Sequence, residues 1–267
     1  MTGNPDTPGS EAEPEQTFFS HLLELRQRLL HIVLVVVAFV IVLSPFANTL
    51  YSLLAIPLLE HLPKGGQMIA IEVGAPFMAP FKLAAVVAVF LSVPYIIHQI
   101  WSFIAPGLYR HERRLALPLV VVSTVLFYLG AAFAYFLVFP LMFAFLTSTV
   151  PEGVAMMTDI NRYLDFTLTL FIAFGIAFET PAVTFLLVWV GVVSVEKLIA
   201  MRPYIIVAAF VIGAILSPPD PVSQTMMALP IWLLFELGLW SVRLFMRGRK
   251  TANADADGER SINPPAE

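Results

Sequence analysis

The chain has 267 residues, of which 58% are hydrophobic and 13% charged, with no cysteine and a formal net charge of −4. A soluble domain carries about 25% charged residues, so this composition, with a mean hydropathy of +0.83, excludes one and reads as an integral membrane protein. The missing cysteines exclude disulfides and thiol chemistry, and the acidic balance gives no support for a nucleic-acid partner.

The first stretch, Met1–Gln16, is acidic and rich in Pro, Gly and Glu. It is the reverse of a cleavable signal, with its basic and then apolar regions, and residues 1–17 read as a disordered tail. Next comes a lead-in to the membrane, SHLLELRQRL from Ser20 to Leu29, whose Leu22, Leu25 and Leu29 share one helical face. Within it Glu24 stands four residues before Arg28. That spacing makes a local ion pair worth a few tenths of a kcal/mol, the plain structural reading of this carboxylate.

Six apolar blocks follow: His31–Pro45, Phe77–Ile104, Leu115–Val150, Phe166–Val193, Tyr204–Leu216 and Met226–Leu239. A helix needs roughly 20 apolar residues to cross the hydrocarbon core. The first four blocks with their flanks satisfy this, and the last two are short. Twelve Lys and Arg fall on the side of the two tails and three on the other, which places both termini in the cytoplasm by the positive-inside bias. Between the first two spans, Tyr51–Ala75 has room for a short interfacial helix. The predicted fold is therefore all-α: six transmembrane helices over residues 18–247, the last two short, with a second disordered tail over 248–267. Prolines at 94, 118, 140, 181 and 230 favour a bent, concave bundle over a parallel one, since each frees carbonyls that neighbouring helices must satisfy.

After the second span, WSFIAPGLYRHERR packs five charged or titratable residues into Arg110–Arg114. On a helix Arg110, Arg113 and Arg114 share one side and read as lipid-headgroup anchors. Glu112 points elsewhere, either to a partner or into a local pair with Arg113 or His111. Glu179 lies deep in the fourth apolar block, where an acid costs at least about 2.5 kcal/mol, so it should face protein rather than lipid. Glu236 and Gln224 are weaker instances. No catalytic motif, phosphate-binding loop or metal-ligand spacing is present, so neither enzymatic activity nor a cofactor is expected.

Several motifs in order then carry a resemblance: SHLLELRQRL, FIAPGLYRHERR, FYLGAAFAYFLVFP at Phe127–Pro140, the Phe178-Glu179 pair and SPPD at Ser217–Asp220. Over roughly Phe18 to Arg247 the chain resembles the TatC family, the six-span core receptors of the bacterial twin-arginine protein translocase. The resemblance implies a glove-shaped protein of the bacterial cytoplasmic membrane that binds the paired arginines of signal peptides on folded cargo and works on the proton-motive force. It implies Glu24, Arg26, Phe103 and Glu112 as the signal-peptide site and Glu179 as the intramembrane acid of the concave side. Gln224 and Pro57 fall in regions tied to partner docking and assembly, the partners being the single-span subunits TatA and TatB and other TatC copies. Two other classes compete on the residues alone: a proton-coupled small-solute carrier, resting on Glu179 and Glu236, and a scaffold that only anchors partners.

Overall fold

The computed structural model describes residues 12–61, 67–104, 116–151, 157–217 and 220–262. Helix α1 (Ala12–Leu43) ends in a single 3₁₀ turn at Ser44–Phe46, with Pro45 in its first positions, and α2 (Ala47–His61) follows directly. A short strand β1 (Gln67–Ile69) leads into α3 (Ala75–Ile104). Helix α4 (Ala116–Phe133) widens into a π-helical turn at Ala134–Val138 before α5 (Phe139–Ser148). Strand β2 (Met157–Asp159) precedes α6 (Ile160–Ala177) and α7 (Thr180–Trp189); α8 (Val195–Ala200), α9 (Arg202–Leu216) and α10 (Pro221–Ile262) complete the chain.

Among the described residues, five segments are long and apolar enough to cross a membrane: Leu22–Ile56, Ala75–Phe103, Leu117–Ser148, Ile160–Trp189 and Pro221–Phe245. The sixth, α9, has 15 residues and is short, about 22 Å at 1.5 Å per residue. The expectation of two short final helices thus holds for α9 alone. The last helix outruns its expected block, Met226–Leu239, because it also takes in the polar residues before Met226 and Arg243 after Leu239; Glu236, within the block, is held by Arg202 at 2.6 Å. The short interfacial helix expected after the first span is not separate from it: most of α2 belongs to the first apolar segment, which runs to Ile56.

Of the five prolines expected to interrupt the spans, Pro140 and Pro181 stand where the helices widen or turn, whereas Pro94 and Pro230 lie inside unbroken helices and Pro118 in the first turn of α4. Pro140 offers no N–H, and just before it the helix widens so that the Phe139 N–H reaches the Ala134 carbonyl. Pro181 opens α7 after the Phe178-Glu179 turn. The widest apolar cluster gathers where these bends meet, around Phe139, Met142, Phe143, Tyr163, Leu170 and Phe174. Helix α1 packs mainly along α3, and α9 and α7 pack against α10.

At the α3 start, β1 and β2 pair in parallel, Gln67 opposite Met157 and Ile69 opposite Asp159. Asp159 joins three segments there. Its Oδ1 accepts the Asn161 and Arg162 amides at 3.1 and 3.0 Å, capping α6, and its Oδ2 accepts the Ile71 amide at 3.1 Å. Those backbone amides, Arg162 first and Ile71 next, hold the Asp159 carboxyl below the usual carboxylate range. A group whose pKa falls on folding stabilises above its unfolded value of about 3.9, and that share is lost as pH drops through the lower folded value. Asp159→Asn keeps the cap acceptor without the charge. It should therefore melt below wild type at pH 7, and the gap should narrow as the pH falls through the lowered folded value; a gap that stays constant on acidification refutes the charge's role.

Candidate functional site

Glu24 and Arg28 occupy successive turns of α1 and face the C-terminal end of α3. The Arg28 guanidinium bonds one oxygen of Glu24 through Nε at 3.0 Å and Nη2 at 2.6 Å. Its Nη1 donates to Gln99 Oε1 at 2.9 Å and its Nη2 also to the Ser102 carbonyl at 3.2 Å. Gln99 is fixed in turn by donating to the Tyr95 hydroxyl at 2.7 Å. This placement is electrostatically sound, because the last carbonyls of a helix lack intrahelical donors and carry partial negative charge. The pair remains within reach of solvent, with side-chain exposures of 24% for Arg28 and 37% for Glu24.

Phe103 follows Ser102 directly and is half-buried, so a carboxylate and an aromatic ring share the α3 end. Arg26 is exposed, two residues from both Glu24 and Arg28 and so turned away from that pair. Glu112 lies outside the described residues; the chain ties it between Ile104 and Ala116. Residue spacing alone identifies the Glu24–Arg28 pair, whereas Gln99, Tyr95 and the Ser102 carbonyl are found only in the folded chain. The one sequence signal for them is the polar pair His98-Gln99 near the end of a mainly apolar helix.

The last turn of α3 also reaches inward. Trp101 is buried and its indole N–H donates to the Ser123 hydroxyl oxygen of α4 at 3.3 Å. Ser123 is the polar side chain of α4 nearest the Glu179 carboxyl group. Glu179 sits in the turn between α6 and α7, where its amide bonds the Ile176 carbonyl at 3.0 Å and its own carbonyl accepts the Val183 amide at 2.9 Å. Its Oε1 is buried without a partner among the described residues. Glu179 therefore faces protein, as its cost in lipid requires. The two carboxylates, Glu24 and Glu179, are separate, and opposite sides of one α3 turn contact their surroundings.

Comparison with known proteins is decisive here. The family model described as Sec-independent protein translocase protein (TatC) matches residues 20–230. The chain belongs to the TatC family. A relative from Azotobacter chroococcum, named Sec-independent protein translocase protein TatC, is 54% identical over 90% of this chain and 92% of its own length. The TatC protein of Escherichia coli K12 is 50% identical over 89% of this chain and 92% of its own. A solved structure described as the twin arginine translocase receptor TatC superposes with a TM-score of 0.76 at 38% identity, covering 84% of this chain and 98% of that one.

In this TatC-family chain the α9–α10 hairpin is tightly closed. The Gln224 amide group donates to the Phe210 carbonyl at 3.0 Å, so this polar side chain is spent inside the hairpin. Asp220 accepts the Ser223 amide at 2.7 Å, which caps α10 and holds the Asp220 carboxyl below its ordinary range. Pro57 is part of α2, and its side chain lies outside the described ones.

Proposed function

We propose that this chain is the receptor and core subunit of a twin-arginine protein translocase, set in the bacterial cytoplasmic membrane with both termini in the cytoplasm. What supports the site is the Glu24 carboxylate, tied through Arg28 to the last turn of α3, the turn that also carries Phe103. A guanidinium fork bonds a carboxylate in a planar, bidentate way that an ammonium cannot reproduce. Glu24 and Glu112 together would read the Arg-Arg pair, Phe103 would pack on the apolar residues that follow it, and Arg26 would shape the rim. TatA, TatB and further copies of the chain would dock on the outer helices, with Gln224 and Pro57 in the regions concerned. Transport without enzymatic catalysis follows from this reading. Membership of a protein-translocase family removes the support for a small-solute carrier.

Photocrosslinking tests the receptor reading. Probes placed at positions 24, 103 and 112 are expected to capture a labelled Arg-Arg signal peptide and to lose it when both arginines become lysines. Equal capture of both peptides would reduce the carboxylates to structural parts.

A further inference from the structure

Arg28 has no part in the receptor reading, yet it is the most fully bonded charged side chain at that site. Two of its nitrogens converge on a single oxygen of Glu24, at 3.0 and 2.6 Å. The carboxylate is thereby already engaged by a guanidinium, the same chemical group that a twin-arginine peptide would bring. The other bonds of Arg28, to Gln99 Oε1 and the Ser102 carbonyl, do not involve Glu24. Gln99 is pinned by Tyr95, so its oxygen stays turned toward Arg28 when Glu24 is released.

We propose that Arg28 is a resident competitor: its guanidinium occupies Glu24 in the empty receptor and withdraws onto Gln99 and the Ser102 carbonyl when a peptide arginine arrives. The inference rests on the receptor reading above and adds a control to the same site. An internal competitor lowers the affinity of every ligand for Glu24 by one common factor. It therefore leaves the Arg-to-Lys preference as it is and pushes weak, lysine-bearing sequences below working concentrations. The factor is modest, because a part-exposed pair at this spacing is worth roughly a twofold to fivefold change in an equilibrium constant.

The test is equilibrium binding of fluorescent Arg-Arg and Lys-Lys peptides to the full chain in lipid nanodiscs, for wild type, Arg28→Lys, Arg28→Gln and Glu24→Gln. Arg28→Gln is expected to bind both peptides about two- to fivefold more tightly than wild type, with the ratio between peptides unchanged. Arg28→Lys keeps the charge and most of the packing but loses the fork, so it should fall between the two. The reverse order, with wild type tightest, overturns the proposal and makes Arg28 a support that orients Glu24. Unchanged affinity in both Arg28 variants, with Glu24→Gln weakened, overturns it too while the receptor reading stands. If Glu24→Gln binds like wild type, the peptide site itself is misplaced and the competitor falls with it.

Discussion

Glu24→Gln is expected to weaken Arg-Arg peptide binding about tenfold, and Glu112→Gln by a similar factor. A hydrogen bond to a charged group contributes about 1.5–3 kcal/mol net. The lower end applies here, since Glu24 is more than a third exposed and solvent screens the pair. Glutamine preserves size and an acceptor oxygen but removes the charge and one half of the bidentate match. If one peptide spans both carboxylates, the double variant loses less than the two single losses together, because either change already disrupts the shared pose. Titration of the four proteins with one labelled peptide gives the coupling. Strict additivity, together with an untouched preference for arginine over lysine, would place the two carboxylates in different sites.

The parts legible in the sequence were those set by composition and local spacing. Apolar blocks gave the helices. The Glu24–Arg28 pair followed from a four-residue interval. What stayed hidden depends on contacts distant in the chain. Gln99 meets Arg28 across 71 residues, and no periodicity announces that. Trp101 and Ser123 looked like ordinary members of apolar spans until α3 and α4 were packed together. The length of α10 was concealed for a related reason. Ser223, Gln224 and Arg243 resemble the ends of a span, but all three lie within the helix. The π turn at Ala134–Val138 needed the proline at 140 and the packing of its aromatic neighbours at once, of which the sequence displays only the first.

Gly130→Ala should be among the most damaging single changes in the membrane region. A methyl at Gly130 would lie 2.4 Å from the Phe174 carbonyl oxygen and 2.9 Å from Phe178 Cβ. That oxygen already accepts the Phe178 amide at 2.9 Å, so backbone, not a movable side chain, would have to give way. Overpacking of this kind costs about 1–3 kcal/mol, enough to lower the thermal midpoint of the detergent-solubilised protein by several degrees. The opposite contact offers a control: a methyl at Gly175 meets only the ring edge of Phe127, nearest at 2.6 Å. Gly175→Ala should therefore melt above Gly130→Ala, although Phe127 has little room while it packs edge-on against Phe90 at 5.2 Å. The damage also has a functional direction. Ser123 and Gly130 are seven residues apart, two turns of the same α4 face, and Phe178 immediately precedes Glu179. Pushing α4 from α6 at Gly130 thus pulls Ser123 from the Glu179 carboxylate, and the carboxyl infrared band of Glu179 should shift in Gly130→Ala but much less in Gly175→Ala. Equal melting and an unmoved band in both variants would mean that the close approach of α4 to α6 does not position Glu179.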